Sequence, residues 1–111
     1  EELLLLGLSY KSNCGDIRNS KLINLVEIIK NKNINISIVD PLVNKEEVLN
    51  KTGLLCLEEI PSNTKFTVII FALFHKEFHD LTLNNILKIA YEKTLIFDLT
   101  NNLKGANVIH L

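Results

Sequence analysis

Residues 3–20 read LLLLGLSYKSNCGDIRNS. A continuous apolar run opens the stretch and reaches Leu8, broken only by Gly7. A short apolar run that meets a glycine is the mark of a strand buried on both faces, as in a parallel sheet. A nucleotide-binding loop often begins at such a glycine. This one is not glycine-rich. It packs Tyr10, Lys11, Asp16 and Arg18 into nine residues, and the next glycine after Gly7 is Gly15. The G-x-G-x-x-G dinucleotide fingerprint is therefore absent.

Working outward, Leu22, Leu25, Val26 and Ile29 follow the i, i+3, i+4, i+7 spacing of one helix face. Asn19 or Ser20 caps that helix, which frays near Asn31–Asn33. INISIVD, 34–40, alternates and is β-branched, so it reads as a second strand, stopped by Pro41. NKEEVLNK, 44–51, is a short polar helix or turn, GLLCL, 53–57, a short strand, and PSN, 61–63, a turn. FTVIIFAL, 66–73, is the most hydrophobic run and reads as the central strand. Thr82 caps a helix carrying Leu83, Ile86, Leu87 and Ala90 on one face. TLIFDL, 94–99, is a further strand and ANVIHL, 106–111, an edge strand. Strands alternating with helices call for a mainly parallel sheet with right-handed crossovers and helices on both faces, an α/β, Rossmann-like three-layer sandwich.

The chain has 111 residues, 47% hydrophobic and 23% charged, with a formal net charge of −1. That length suits one domain over residues 1–111. The charge balance gives no nucleic-acid footprint. No apolar run reaches the ~18 residues of a membrane helix, and no signal-peptide pattern opens the chain. Cys14 and Cys56 form no CxxC pair, and two reduced thiols in the cytoplasm are the simplest reading. The chain starts at Glu1-Glu2 without methionine and enters a strand at once, as a piece of a longer protein would.

In open α/β sheets ligands bind at the carboxyl ends of the strands. Three groups in the first loop suit an anion or a planar ligand. Arg18 offers a bidentate fork, Lys11 a point charge, and Tyr10 a ring that stacks or hydrogen-bonds. The N-terminal end of the following helix adds positive potential. The alternative is a solvated loop in which Asp16 pairs with Arg18 or caps the turn. Asp40, at the end of the second strand, is where some dinucleotide-binding domains hold a ribose hydroxyl, but with Pro41 it reads first as turn chemistry. His75 and His79 stand i, i+4, a metal-binding spacing on a helix. No third ligand lies near them, and HKEFHD also reads as a polar loop. His75 alone, at a strand's carboxyl end, has the better claim to a polar contact. Cys14 lies among cations that favour a thiolate. A nucleophile also needs a positioned base, and no histidine is near it in sequence, so it reads as a bystander. Cys56, inside LLCL, reads as a small core residue.

The order of motifs resembles the C-terminal domain of the UDP-sugar and GDP-mannose 6-dehydrogenases. The resemblance rests on LGLSYKSNCGDIRNS, ISIVDPLV, VIIFALFHKEF and LIFDLTNNL, and runs from Leu5 to about Gly105. The first of these matches the pattern G-x-S/T-F/Y-K-x-N/D-x-x-D-x-R-E/N-S/T without a gap. The forms NCGDIRNS and FDL look most like enzymes acting on UDP-N-acetylglucosamine or UDP-N-acetylgalactosamine for surface polysaccharide synthesis. UDP-N-acetylmannosamine and UDP-glucose stay open.

The resemblance implies a whole enzyme with an N-terminal NAD-binding domain, a helical middle domain used in dimerisation, and this domain closing over the UDP-sugar. Such an enzyme is a homodimer or larger. It oxidises carbon 6 from alcohol to carboxylate in two steps with two NAD, using a cysteine upstream of this domain. Neither Cys14 nor Cys56 matches that cysteine, so this chain alone is expected to be inactive. Tyr10 and Lys11 match the pair that contacts the UDP-sugar, and Arg18 matches the arginine that reaches the NAD. A further family arginine follows the aspartate of the last main strand, where this chain has Thr100 and Asn101. The competing reading is a freestanding Rossmann-like regulatory domain that binds a nucleotide or a partner without catalysis.

Overall fold

Side chains alternate across a strand, so the leucine run of β1 (Glu2–Leu6) must feed two cores at once. Leu3 and Leu5 join one buried cluster, where Val26 and Ile29 of helix α1 (Lys21–Lys30) and Val48 of α2 (Lys45–Thr52) cover the sheet. Leu4 and Leu6 join the other, under Phe78 of the 3₁₀ turn Lys76–Phe78 and Ile86 of α3 (Leu83–Leu87). Helices therefore lie on both faces, in three layers. The computed structural model describes residues 1–103 and 108–110.

The remaining strands are β2 (Asn35–Val39), β3 (Cys56–Leu57), β4 (Phe66–Phe71), β5 (Ala90–Asp98) and β6 (Val108–His110). All six pair in parallel, in the order β3-β2-β1-β4-β5-β6. This is the Rossmann strand order, and it realises the parallel, Rossmann-like sheet expected from the alternating pattern. The predicted central strand, β4, shares the middle of the sheet with β1, their register running from Leu3↔Val68 to Leu6↔Phe71. Successive strands depart from β1 in opposite directions, toward β2 and toward β4. The chain's topological switch point lies between β1 and β4.

Local signals explain the helix ends. Ser20 is the cap of α1, its hydroxyl accepting from Leu22 N at 3.2 Å, while Asn19 takes the left-handed conformation (φ 62°). Leu22 and Leu25 pack against the core beside Val26 and Ile29, as the spacing predicts. Thr82 and Asn85 form a reciprocal capping box at α3.

Two predicted boundaries are corrected. The helix from Thr82 ends at Leu87, and Ala90 is not on it: Ala90 opens β5, opposite Phe66. Leu87 is exposed rather than buried. Regular pairing of β5 resumes at Leu95, opposite Val68, so the residues between bulge out of the ladder. The hydroxyl of Thr94 pins that bulge, donating to Phe66 O at 2.6 Å and accepting from Tyr91 N at 2.8 Å. Of the predicted edge strand, 108–110 pair with β5, and 106–107 and 111 lie outside the described residues. Among the described residues no helix is long and apolar enough to cross a membrane.

Candidate functional site: the loop after β1

Gly7 ends β1 in a conformation closed to other residues without strain (φ 101°). A Cβ there would come within 2.7 Å of the Leu73 Cβ. The chain then loops from Leu8 to Ser20 over the carboxyl end of the sheet. Ser20 closes the loop, its hydroxyl donating to Leu8 O at 2.7 Å while capping α1. Within it, Tyr10 N donates to Asp16 O at 2.7 Å. Gly15 lies so close to the turn after β2 that a Cβ there would clash with Leu42 O.

Asp40, at the carboxyl end of β2, is the anchor beneath this loop. Its side chain is fully buried. Oδ2 accepts from Leu8 N at 2.8 Å, Ser9 N at 3.3 Å and His75 Nε2 at 2.9 Å, and Oδ1 accepts from Leu42 N at 2.9 Å. Burial pushes its carboxyl up. The hydrogen bonds from His75 and from the Leu8 and Leu42 amides outweigh burial and hold it below the ordinary carboxylate value. The turn chemistry read from Asp40-Pro41 is present in the Leu42 bond, but it is the lesser part of the residue's role.

His75 follows β4 and points inward. It is also fully buried, and both ring nitrogens are engaged. Nδ1 lies 2.9 Å from the Asn13 backbone N–H. A backbone N–H only donates, so Nδ1 accepts, and Nε2 carries the proton given to Asp40. The neighbouring contacts extend this tie. Phe74 N donates to Ser12 Oγ at 2.9 Å, and Lys76 N donates to Asn13 Oδ1 at 2.6 Å. Asn13 thus serves both loops, from a left-handed conformation (φ 60°) that asparagine tolerates. Ser9 Oγ donates to Lys11 O at 3.0 Å.

The predicted site residues divide over this frame. Tyr10 is 59% exposed, and Lys11 is exposed with no ion pair among the described residues. Arg18, 79% exposed, is held by Asp16: Nε lies 3.0 Å from Oδ1 and Nη2 lies 2.9 Å from Oδ2. The side-chain bonds of Arg18 hold the Asp16 carboxyl down at about 2, and Asp16 in turn raises the guanidinium. The solvated-loop alternative is thus observed for this pair. Pairing still leaves the fork at the surface, oriented by its carboxylate.

The two histidines do not converge. His75 is committed to Asp40, while the His79 ring stacks on Phe74 with centroids 4.3 Å apart. Among the described residues, the one acceptor nitrogen of His75 is occupied by the Asn13 N–H and is not free to serve Cys14 as a base. Cys56 is buried, and burial pushes its thiol up to about 11. Thr100 is turned onto Asp98, donating from its hydroxyl at 2.6 Å and its amide at 2.8 Å. Asn101 is exposed in a left-handed turn (φ 62°).

Reading the residues alone missed the roles of Ser9, Ser12, Asn13 and Gly15. Each acts through a contact more than 25 residues away in the chain or through backbone geometry. A cleft of about 220 Å3 opens at the switch point, lined by Ser9, Tyr10, Asn19, Ser20, Leu22 and Leu73, among others. The N-terminus of α1 lies at this cleft.

Strand order, switch-point cleft and a side-chain-rich loop in place of a glycine cradle define a Rossmann-like domain of the nucleotide-binding kind. The chain belongs to the UDP-glucose/GDP-mannose dehydrogenase family, whose UDP-binding domain matches residues 4–105. It is 33% identical over 97 residues to the UDP-N-acetyl-D-glucosamine 6-dehydrogenase of Pseudomonas aeruginosa, covering 87% of this chain and 23% of that protein. The Salmonella typhi enzyme of the same name is 32% identical over the same coverage. Among solved structures, the UDP-N-acetyl-mannosamine dehydrogenase Cap5O of Staphylococcus aureus superposes with a TM-score of 0.69 over 98% of this chain and 25% of that one, at 24% identity. The chain therefore spans about a quarter of the length of these relatives. The resemblance read from the motifs and the Rossmann-like fold read from the alternation of strands and helices agree with these findings.

Proposed function

We infer that this chain is the UDP-sugar-binding C-terminal domain of an NAD-dependent nucleotide-sugar 6-dehydrogenase. Its substrate is a UDP-N-acetylhexosamine, oxidised to the uronic acid for surface polysaccharide synthesis in the cytoplasm. Residues 1–111 form one domain of the longer enzyme, which assembles as a homodimer or larger. The observation that carries this reading is the loop at residues 7–20. Its backbone is tied to the sheet at the switch point, while Tyr10 and Lys11 are left exposed on it.

Lys11 supplies a point cation for the diphosphate, and Tyr10 supplies a ring and a hydroxyl. Arg18 would serve the NAD: its exposed guanidinium, already oriented by Asp16, suits a pyrophosphate or carboxamide oxygen. The missing glycine fingerprint argues that the chain does not hold the cofactor alone, and NAD when bound supplies the hydride acceptor. This chain binds and orients; the catalytic cysteine belongs to the rest of the enzyme, since His75 is not free to serve Cys14 as a base and Cys56 is buried. Closure of the domains over the substrate excludes water from the reacting groups.

The full-length enzyme tests the assignment. Lys11→Ala raises KM for the UDP-sugar, and Arg18→Ala raises KM for NAD. Unaltered constants for both substrates in both variants would overturn it.

A further inference from the structure

We propose that His75 is a positioning residue for the UDP-sugar site, setting the loop that carries Tyr10 and Lys11. This rests on the reading of that loop as the UDP-sugar site. The ring joins two segments that are 62 residues apart in the chain, accepting from Asn13 N on one side. On the other side it donates to Asp40, which also receives the Leu8 and Ser9 amides at the root of the same loop. Lys11 sits between these two anchor points. Its carbonyl is held by Ser9 Oγ, and the next residue, Ser12, receives Phe74 N.

The arrangement has a defined polarity. The loop offers a backbone donor at Asn13, and the sheet offers an ionised acceptor at Asp40. A group placed between them needs one acceptor and one donor on opposite sides. Neutral imidazole in its Nε2–H form has that pair, and so does a glutamine amide. Alanine has neither. In its absence the Asn13 amide turns to water, and the segment 10–16 loses its tie to the buried Asp40 while keeping those of Ser12, the Asn13 side chain, the Lys11 carbonyl and Tyr10 N. Lys11 then samples positions away from the substrate, at an entropic cost paid on binding.

The test uses the full-length enzyme carrying His75→Ala, His75→Gln, Asn13→Gly and Lys11→Ala. Steady-state kinetics and amide hydrogen exchange are read on each. His75→Ala is expected to raise KM for the UDP-sugar roughly tenfold and leave KM for NAD within about twofold. Exchange should quicken in residues 10–16 but not in β1. His75→Gln is expected to restore both readouts, and Asn13→Gly, which removes the Lys76 tie and frees the backbone at residue 13, to shift them in the same direction. Should His75→Ala fail to fold, the Gln and Asn13→Gly variants decide. Unchanged exchange at 10–16, an equal rise in both KM values, or a Gln variant as impaired as an unfolded or alanine one would overturn the proposal. A Lys11→Ala enzyme with unchanged UDP-sugar KM, together with quickened loop exchange in His75→Ala, would fell the functional reading and leave the clasp standing.

Discussion

Asp40→Asn tests the frame beneath the site. Asparagine keeps the shape of the side chain but removes its charge and turns one acceptor into a donor. Four donors converge on the native carboxylate, three on Oδ2 and one on Oδ1. The less costly orientation keeps the amide oxygen toward Leu8, Ser9 and His75. Its NH2 then faces Leu42 N–H, donor against donor. One bond to a charged group is lost, at about 1.5–3 kcal/mol, and the other three lose their charge assistance. The side chain is fully buried, so water cannot replace the lost partner. The expected loss is about 3 kcal/mol. For a chain of this size that lowers Tm by roughly 12 °C, at about 4 °C per kcal/mol. Urea unfolding of the 111-residue chain, followed by circular dichroism, reads the change as a lowered midpoint with unchanged slope. A loss under about 1 kcal/mol would refute the claim that Asp40 holds an ionised, four-donor anchor.

Three further outcomes follow from the same geometry. Asp40 and Asp98 both titrate below the ordinary 3.8 in the folded chain, so their contributions are fully present above that value and are lost as pH falls through the lower folded values. Urea midpoints should therefore fall as pH is lowered from about 4 to about 2; a flat profile over that range would contradict those shifts. Gly15→Ala forces its Cβ against Leu42 O and should cost about 2 kcal/mol in the same unfolding assay, while an unchanged midpoint would mean the loop yields freely. Calorimetric titration of the 111-residue chain should give weak UDP binding or none, and tight NAD binding would contradict the reading of the absent glycine fingerprint.

Much of this was legible in the residues. The leucine run of β1 needed burial on both faces, and only a parallel sheet covered on both sides provides it. Helix α1 announced itself by its spacing and by Ser20. Around α3 the residues misled, because Leu83, Ile86, Leu87 and Ala90 keep helical spacing across a boundary. The chain leaves the helix after Leu87, and Ala90 pairs with Phe66 instead. The β5 bulge carries no local signature, since it is set by the Thr94 hydroxyl reaching a carbonyl on the neighbouring strand. In the site, the exposed trio of Tyr10, Lys11 and Arg18 was visible as chemistry at a strand's carboxyl end. The support beneath it was not. Asp40 reads locally as a turn residue; His75 reads as a strand-end residue with a claim to a polar contact, which it makes, but its partner 35 residues away has no local signal. Only the sheet order, which puts the ends of β2 and β4 on either side of β1, brings them under the same loop.

The most direct test of the central claim is NADH production by the full-length enzyme on a panel of UDP-sugars, run beside its Lys11→Ala variant. Turnover is expected with a UDP-N-acetylhexosamine, at two NADH per sugar, with a KM for that sugar raised at least roughly tenfold in the variant. No turnover with any UDP-sugar, or identical constants in the two proteins, would contradict it.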